Sequence, residues 1–176
     1  PSGANGLGDV LGVADVAFVG RKLYALVAGG GCAHGAQVPA ALIRVERDGS
    51  WRISNNLSAY QAANPVAAPP GDFDPDGSWY SMVEVDGSLI AVDANHGEMV
   101  RLNPQNGKVV RVADFSAALG HVVPTAVAER HGAIYVSQLG VFPDVAGSQK
   151  IWRVSRRGQV SEVAGGFTMV LGLELD

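Results

Sequence analysis

At 176 residues the chain has the length of about one domain, and its 47% hydrophobic residues suffice for a packed core. Its net charge of −4 argues against a nucleic-acid or anionic-membrane partner, and no apolar run approaches the roughly 18 residues of a membrane-spanning helix. The single cysteine, Cys32, excludes an internal disulfide.

From residue 13 onward the sequence predicts short strands, because alternating apolar segments bounded by Gly, Asp, Asn and Pro recur and helical periodicity is almost absent. Each group of four predicted strands forms one unit of a repeat, which we call a blade. Blades 1, 2 and 3 are predicted at residues 13–58, 79–116 and 124–165. Turn pairs such as Asp48-Gly49 and Asn106-Gly107 favour tight hairpins, because Gly accepts a positive φ.

The repeated four-stranded unit predicts an all-β fold, a β-propeller of antiparallel blades. A Pro- and Ala-rich insertion separates blades 1 and 2, and residues 168–176 are predicted to form the inner strand of a fourth blade. Three blades and one strand do not close a ring, which typically has about 4–8 blades. We therefore expect residues 1–176 to be one segment of a longer propeller, or two copies to associate; another all-β class is the alternative.

Connections of two kinds alternate along the predicted blades. In each predicted blade, the turns that join strand one to strand two and strand three to strand four are tight. The connections from strand two to strand three, and from one blade to the next, are mostly longer. The two kinds of connection lie on opposite faces of an antiparallel propeller. We call the face that carries the longer connections the long-loop face. Because loops on a rigid scaffold are common binding sites, ligand contacts are predicted there. The candidate ligand-binding residues are Asp93, Asn95, His96, His121, Thr125, Gln138, Trp79, Tyr80 and His34.

These candidates also have structural interpretations. Asp93 and Asn95 end the second strand of blade 2, where such side chains often cap turns by hydrogen bonds to the backbone. The histidines show no recognised ligand spacing and are also typical of solvated or hydrogen-bonded loops. Trp79 and Tyr80 begin blade 2, where aromatic side chains either pack between blades or stack on a sugar ring or planar ligand.

A short acidic motif precedes blade 2. Asp72, Asp74 and Asp76, followed by Gly77, give the spacing D-x-D-x-D-G of a calcium loop, so Ca²⁺ at these three carboxylates is the candidate cofactor. An EF-hand loop would have a bidentate Glu at its twelfth position, which is Val83 here. The sequence therefore favours an Asp- and Gly-rich turn that leads into Trp79 and Tyr80. We call residues 72–77 the acidic loop.

Four segments carry a resemblance to a known family: "GSWRISNNLSAYQAANP", "LIAVDANHGEMVRLNPQNGKV", "HVVPTAVAERHGAIYVSQLGVFP" and "KIWRVSRRGQVSEVAGGFTMVLGLELD". From about Gly12 to Asp176 the chain resembles the ScyD/ScyE family, predominantly bacterial and often exported β-propellers. That family is related in fold to NHL-repeat, gluconolactonase-like and strictosidine-synthase-like propellers. The resemblance implies a six-bladed ring and an extracellular or periplasmic location. Gluconolactonase-like relatives hold a divalent cation with carboxylates and amides in the channel.

The sequence contains no G-x-S-x-G, H-E-x-x-H or phosphate-loop motif. It therefore favours an exported scaffold that binds a small molecule, glycan or protein partner on the long-loop face, without evident catalytic machinery. One alternative is a divalent-metal-dependent lactonase or hydrolase of the gluconolactonase-like type, and a second is a structural subunit of an assembly. The expected partners also include the remaining blades of the same propeller or a second copy of the chain; nucleic acid is not among them.

Overall fold

The computed structural model describes residues 12–175. Residues 1–11 and Asp176, which belong to the predicted segment, lie outside the described part. The strands of blade 1 are β1 Gly12–Val19, β2 Lys22–Ala28, β3 Ala41–Val45 and β4 Trp51–Asn56; those of blade 2 are β5 Trp79–Val85, β6 Ser88–Asp93, β7 Glu98–Leu102 and β8 Val109–Asp114; those of blade 3 are β9 Pro124–Arg130, β10 Ala133–Gln138, β11 Gln149–Val154 and β12 Val160–Phe167.

Each blade is a four-stranded sheet in which every strand pairs antiparallel with the next one along the chain. The predicted all-β fold of four-stranded antiparallel propeller blades is thereby confirmed. Within residues 168–175 no strand is formed. A fourth blade beginning there, and the domain limits given above, stay predictions.

Tight turns on the face opposite the long loops follow from local sequence. Asp86-Gly87 and His131-Gly132 both combine two positive φ angles, of 51° and 76° and of 53° and 77°. This backbone matches the right-handed twist of paired strands, and Gly tolerates it without a Cβ penalty. Blades 2 and 3 therefore keep short, regular hairpins on this face.

Apolar side chains from facing sheets fill the spaces between the blades. Between blades 1 and 2 the core includes Tyr24, Leu26, Leu42, Trp79 and Leu89. The core between blades 2 and 3 is built from other side chains, among them Ile90, Met99, Phe115, Val136 and Val154. Blade 2 is packed on both sides, and this packing holds the residues at its long-loop end in place.

Two short helices, α1 Leu57–Ala63 and α2 Phe115–Leu119, were not predicted. Helix α1 begins after Asn56, whose Oδ1 accepts a hydrogen bond of 2.9 Å from the Ala59 N–H. Its buried Leu57 packs into the core between blades 1 and 2, and its buried Gln61 reaches Asp93 of blade 2. The insertion thus folds back onto blade 2. Across residues 12–175, no helix is long and apolar enough to cross a membrane.

Candidate functional site

Three histidines from three different connections contact the acidic loop. His34 Nε2 lies 2.8 Å from Asp74 Oδ2, and His96 Nε2 lies 2.6 Å from the Asp74 carbonyl oxygen. His121 Nδ1 lies 3.5 Å from Asp72 Oδ1. The fold therefore gathers three of the predicted ligand-binding histidines around one loop, although nothing in their sequence spacing indicated that they would meet.

Asn95 also holds the acidic loop. Its Oδ1 accepts a 2.8 Å hydrogen bond from the Asp74 N–H, and its Nδ2 donates one of 2.9 Å to the Asp72 carbonyl. Asp76 Oδ2 accepts a 2.9 Å hydrogen bond from the Ala33 N–H. The three predicted calcium ligands thus engage separate neighbours. Ca²⁺ binding by Asp72, Asp74 and Asp76 stays a prediction.

Asp93 ends β6 and is fully buried. Its Oδ1 accepts hydrogen bonds from the backbone N–H groups of Ser78, Asn95 and His96, at 2.9, 2.9 and 3.2 Å. One oxygen therefore caps the turn between β6 and β7 and anchors the residue that follows the acidic loop. The other oxygen, Oδ2, accepts a hydrogen bond from the side chain of Gln61.

Asp93, His96 and Glu98 form a buried group of metal-ligating side chains, which we call the Asp93 cluster. One potential ligand atom from each residue lies within 4.8 Å of the others, and the three residues are 0%, 1% and 0% exposed. Gln61 Nε2 from α1 donates to Asp93 Oδ2. Asp93 and His96 were predicted from the sequence as ligand-binding residues, whereas Glu98 and Gln61 were not. The short motif "DANHGE" is the sequence signal that points to Glu98.

Burial dominates the electrostatics of the Asp93 cluster. It raises the pKa of both Asp93 and Glu98, although Arg111 Nε donates a 2.7 Å hydrogen bond to Glu98 Oε2. Burial and the nearby Glu98 carboxylate also raise the pKa of Tyr60 to about 12. An additional positive charge at this place would relieve the cost of burying two carboxylates.

The other predicted site residues have mainly internal contacts. Trp79 is buried in the core between blades 1 and 2, whereas its neighbour Tyr80 is exposed. Thr125 Oγ1 donates a 2.6 Å hydrogen bond to the Val170 carbonyl. Gln138 is buried; its Nε2 donates to Gln149 Oε1 at 2.7 Å and its Oε1 accepts from Trp152 Nε1 at 2.5 Å.

A pocket of about 280 Å³ opens between blades 2 and 3 on the long-loop face. We call it the inter-blade pocket. Two of the predicted ligand-binding residues, Asn95 and His121, line it together with Asp72 and Ser78, and Leu139 and Phe142 form an apolar wall. Such a combination of apolar surface with a few polar groups is typical of small-molecule sites. Sequence reasoning missed Leu139, because an isolated Leu in a loop carries no signal.

The chain matches no protein-family model and no curated protein. It is similar in fold to a chain of a nidogen/laminin complex, with a TM-score of 0.62 and 12% identity over 93% of this chain. It is also similar to a streptogramin B lyase, with a TM-score of 0.56 and 12% identity over 86% of this chain. A putative gluconolactonase matches with a TM-score of 0.54 and 11% identity over 88% of this chain. The chain spans 52%, 39% and 49% of the lengths of those structures. These likenesses show a shared β-propeller fold.

Proposed function

We propose that the protein is a ligand-binding β-propeller segment whose inter-blade pocket takes a small neutral molecule rich in hydroxyl groups, such as a sugar unit of a glycan. The observation that carries this proposal is the placement of the Phe142 ring, 68% exposed, beside polar side chains in one pocket. Aromatic faces stack on the apolar faces of sugars, while amide, carboxylate and imidazole groups bind hydroxyls.

The polar side of the pocket is held in place before any ligand binds. Asn95 is fixed by its hydrogen bonds to the backbone of Asp72 and Asp74, and His121 lies against the Asp72 carboxylate. A preformed polar wall reduces the entropy cost of binding. The neutral ligand follows from this wall, because Asp72 would disfavour an anion.

Isothermal titration calorimetry with glucose, galactose, mannose, N-acetylglucosamine and their disaccharides tests the proposal. We expect at least one of these sugars to bind, and Phe142→Ala to weaken its binding by about 3- to 10-fold through loss of the ring contact. Val145→Ala is the matched control, because Val145 is 65% exposed on the same loop but does not line the pocket. Absence of binding by all these sugars, or equal weakening by both variants, would contradict the proposal.

A lactonase or hydrolase of the gluconolactonase-like type is the second candidate. The Asp93 cluster supplies carboxylate and imidazole groups suited to a divalent cation, and the likeness to a putative gluconolactonase is consistent with this chemistry. However, the cluster is buried, whereas a catalytic metal keeps one open position for water or substrate. Ligand binding is therefore the better-supported function. Binding of a protein partner and a structural role in an assembly rank below it.

We also propose that the protein belongs to the ScyD/ScyE family and that it is located outside the cytoplasm, in the extracellular space or the periplasm. The four resembling segments quoted above support both. We further propose that more blades, or a second copy, dock against the sheet face of blade 1 that carries the exposed Val16, Phe18, Trp51 and Ile53. Fractionation of cells that express the complete gene product would test the location, and recovery of that product in the cytoplasm alone would contradict it.

A further inference from the structure

We propose that the Asp93 cluster binds one Zn²⁺ ion in a closed, structural site, with Gln61 as a fourth ligand. This site is separate from the inter-blade pocket and does not depend on the proposed function. The ligand atoms would be Asp93 Oδ2, His96 Nδ1, Glu98 Oε1 and Gln61 Oε1. All four residues are at most 3% exposed.

The hydrogen bond of His96 fixes which of its ring nitrogens can bind a metal ion. Its Nε2 lies 2.6 Å from the Asp74 carbonyl oxygen, which can only accept, so Nε2 carries the proton. In the neutral ring Nδ1 is then an unprotonated acceptor. It is buried, it has no hydrogen-bond partner among residues 12–175, and it lies 3.9 Å from Asp93 Oδ2, another acceptor. When neither atom carries a proton, the two facing lone pairs repel each other unless a cation lies between them.

Two further buried oxygen atoms lack partners at the same place. Glu98 Oε1 and Gln61 Oε1 have no hydrogen bond within the described part of the chain. Burying an unpaired polar atom destabilises the folded state, and an unpaired charged group does so more strongly. Three such atoms beside one carboxylate are hard to explain as an empty polar core, whereas a shared cation would satisfy all of them.

The distance between His96 Nδ1 and Asp93 Oδ2 fits an ion between them. At 3.9 Å it is too long for a hydrogen bond. Zn–N and Zn–O bonds are about 2.0–2.2 Å long, so two of them span at most ~4.3 Å. Modest contraction gives the tetrahedral separation. To complete four ligands, the Gln61 amide would make a half-turn and withdraw from Asp93 Oδ2, so that Oε1 rather than Nε2 faces the ion.

The outer contacts of the ligands are those of a metal site. His96 donates its second ring nitrogen to a backbone carbonyl, and Glu98 accepts from Arg111 through Oε2. Asp93 Oδ1 accepts from three backbone N–H groups. Each ligating group is therefore oriented by its non-ligating atom, as is usual around protein-bound metals.

The ligand set favours Zn²⁺ over Ca²⁺. Imidazole nitrogen with carboxylate oxygen suits zinc, whereas calcium takes about 6–8 oxygen ligands in an expanded shell. Complete burial leaves no position open for a substrate, so the role is structural. The ion would fasten α1, through Gln61, to the turn of blade 2 beneath the acidic loop.

Metal analysis of the purified 176-residue chain tests the site. After treatment with EDTA and re-addition of Zn²⁺, Mn²⁺ or Ca²⁺ in separate samples, we expect one Zn²⁺ per chain to survive gel filtration. At a free Zn²⁺ concentration of ~100 Kd, the Tm should rise by about 5–10 °C. Failure of the chain to retain Zn²⁺, or retention of Mn²⁺ or Ca²⁺ instead, would overturn the proposal.

Two variants locate the ion. We expect His96→Gln and Glu98→Gln each to lose the bound Zn²⁺, whereas His131→Gln retains it, because His131 is exposed in a turn on the opposite face. Retention by both cluster variants would overturn the assignment. Should these variants not fold, the Co²⁺-loaded wild type decides: visible absorption typical of four-coordinate Co²⁺ supports the site, and a six-coordinate spectrum refutes it.

Discussion

Gly77 shows how one residue links the acidic loop to the buried residues below it. Its φ is 68°, and a Cβ at this position would collide with Asp93 Oδ2 and the Gln61 amide. The Gly of the D-x-D-x-D-G motif is therefore required by close packing as well as by its backbone conformation. Its role is explained without any ion in the acidic loop.

Replacing Gly77 by Ala should lower the free energy of unfolding by about 1–3 kcal/mol more than Gly87→Ala does. Gly87 is a matched control, because its φ is 76° and nothing lies within 4 Å of an added Cβ. Both variants pay for the left-handed backbone, but Gly77→Ala also displaces Asp93 and Gln61. Urea unfolding measures the difference, and equal losses would show that the space above Asp93 is not tightly filled.

At the scale of an element, α2 depends on its N-cap residue, Asp114. Asp114 Oδ1 accepts from the Ala117 N–H at 3.1 Å and from Ser116 Oγ at 2.5 Å, and Oδ2 accepts from the Ala67 N–H at 2.9 Å. The same carboxylate therefore caps the helix and holds the inserted segment. Burial acts to raise the pKa of Asp114, but these hydrogen bonds outweigh it and lower the pKa.

Asp114→Ala should lower the free energy of unfolding by about 1–2 kcal/mol at neutral pH, through loss of the cap. Because the folded-state pKa is lowered, the contribution of Asp114 is complete above the unfolded pKa of about 4 and is lost as pH falls through the folded-state value. The gap between wild type and variant should therefore narrow in acid. Urea unfolding from neutral pH to about pH 3 measures this gap; a gap that widens there would contradict the assignment.

The strands were predictable because their signals are local. Alternation and Asp-Gly or His-Gly turns need only neighbouring residues, and blade 2 forms from such signals at residues 79–114. Helix α1 escaped prediction because its sequence LSAYQAA is too short to show a helical period. Gln61 reaches Asp93 only through tertiary packing, and no sequence spacing encodes a contact between positions so far apart.

On the scale of the whole molecule, blade 1 leaves one apolar sheet face uncovered by blade 2. Val16, Phe18, Trp51 and Ile53 are all exposed. Residues that are paired directly across neighbouring strands point to the same face of a sheet. One row of pairs runs Val16, Ala25, Ile43, Ile53, and another runs Phe18, Leu23, Val45, Trp51, so the four exposed residues share a face. Apolar faces of this kind usually mark an interface, and the sheet of another blade would fit it.

We expect the 176-residue chain to associate with a second copy as its concentration rises, because a second copy would present the same exposed apolar face. The double variant Phe18→Glu and Trp51→Glu should shift it to monomer. Val163→Glu, on exposed β12 of blade 3, should not. Light scattering after gel filtration gives the mass, and a wild type that stays monomeric at every concentration would contradict this prediction.

The contacts of the acidic loop have a consequence for local opening. His34, His96 and His121 come from three separate connections, and each contacts this one loop. The loop cannot detach without breaking all three contacts together, so the three connections should open as a single cooperative unit. Their amide protons would then exchange with solvent at a common rate, although the connections belong to different parts of the chain.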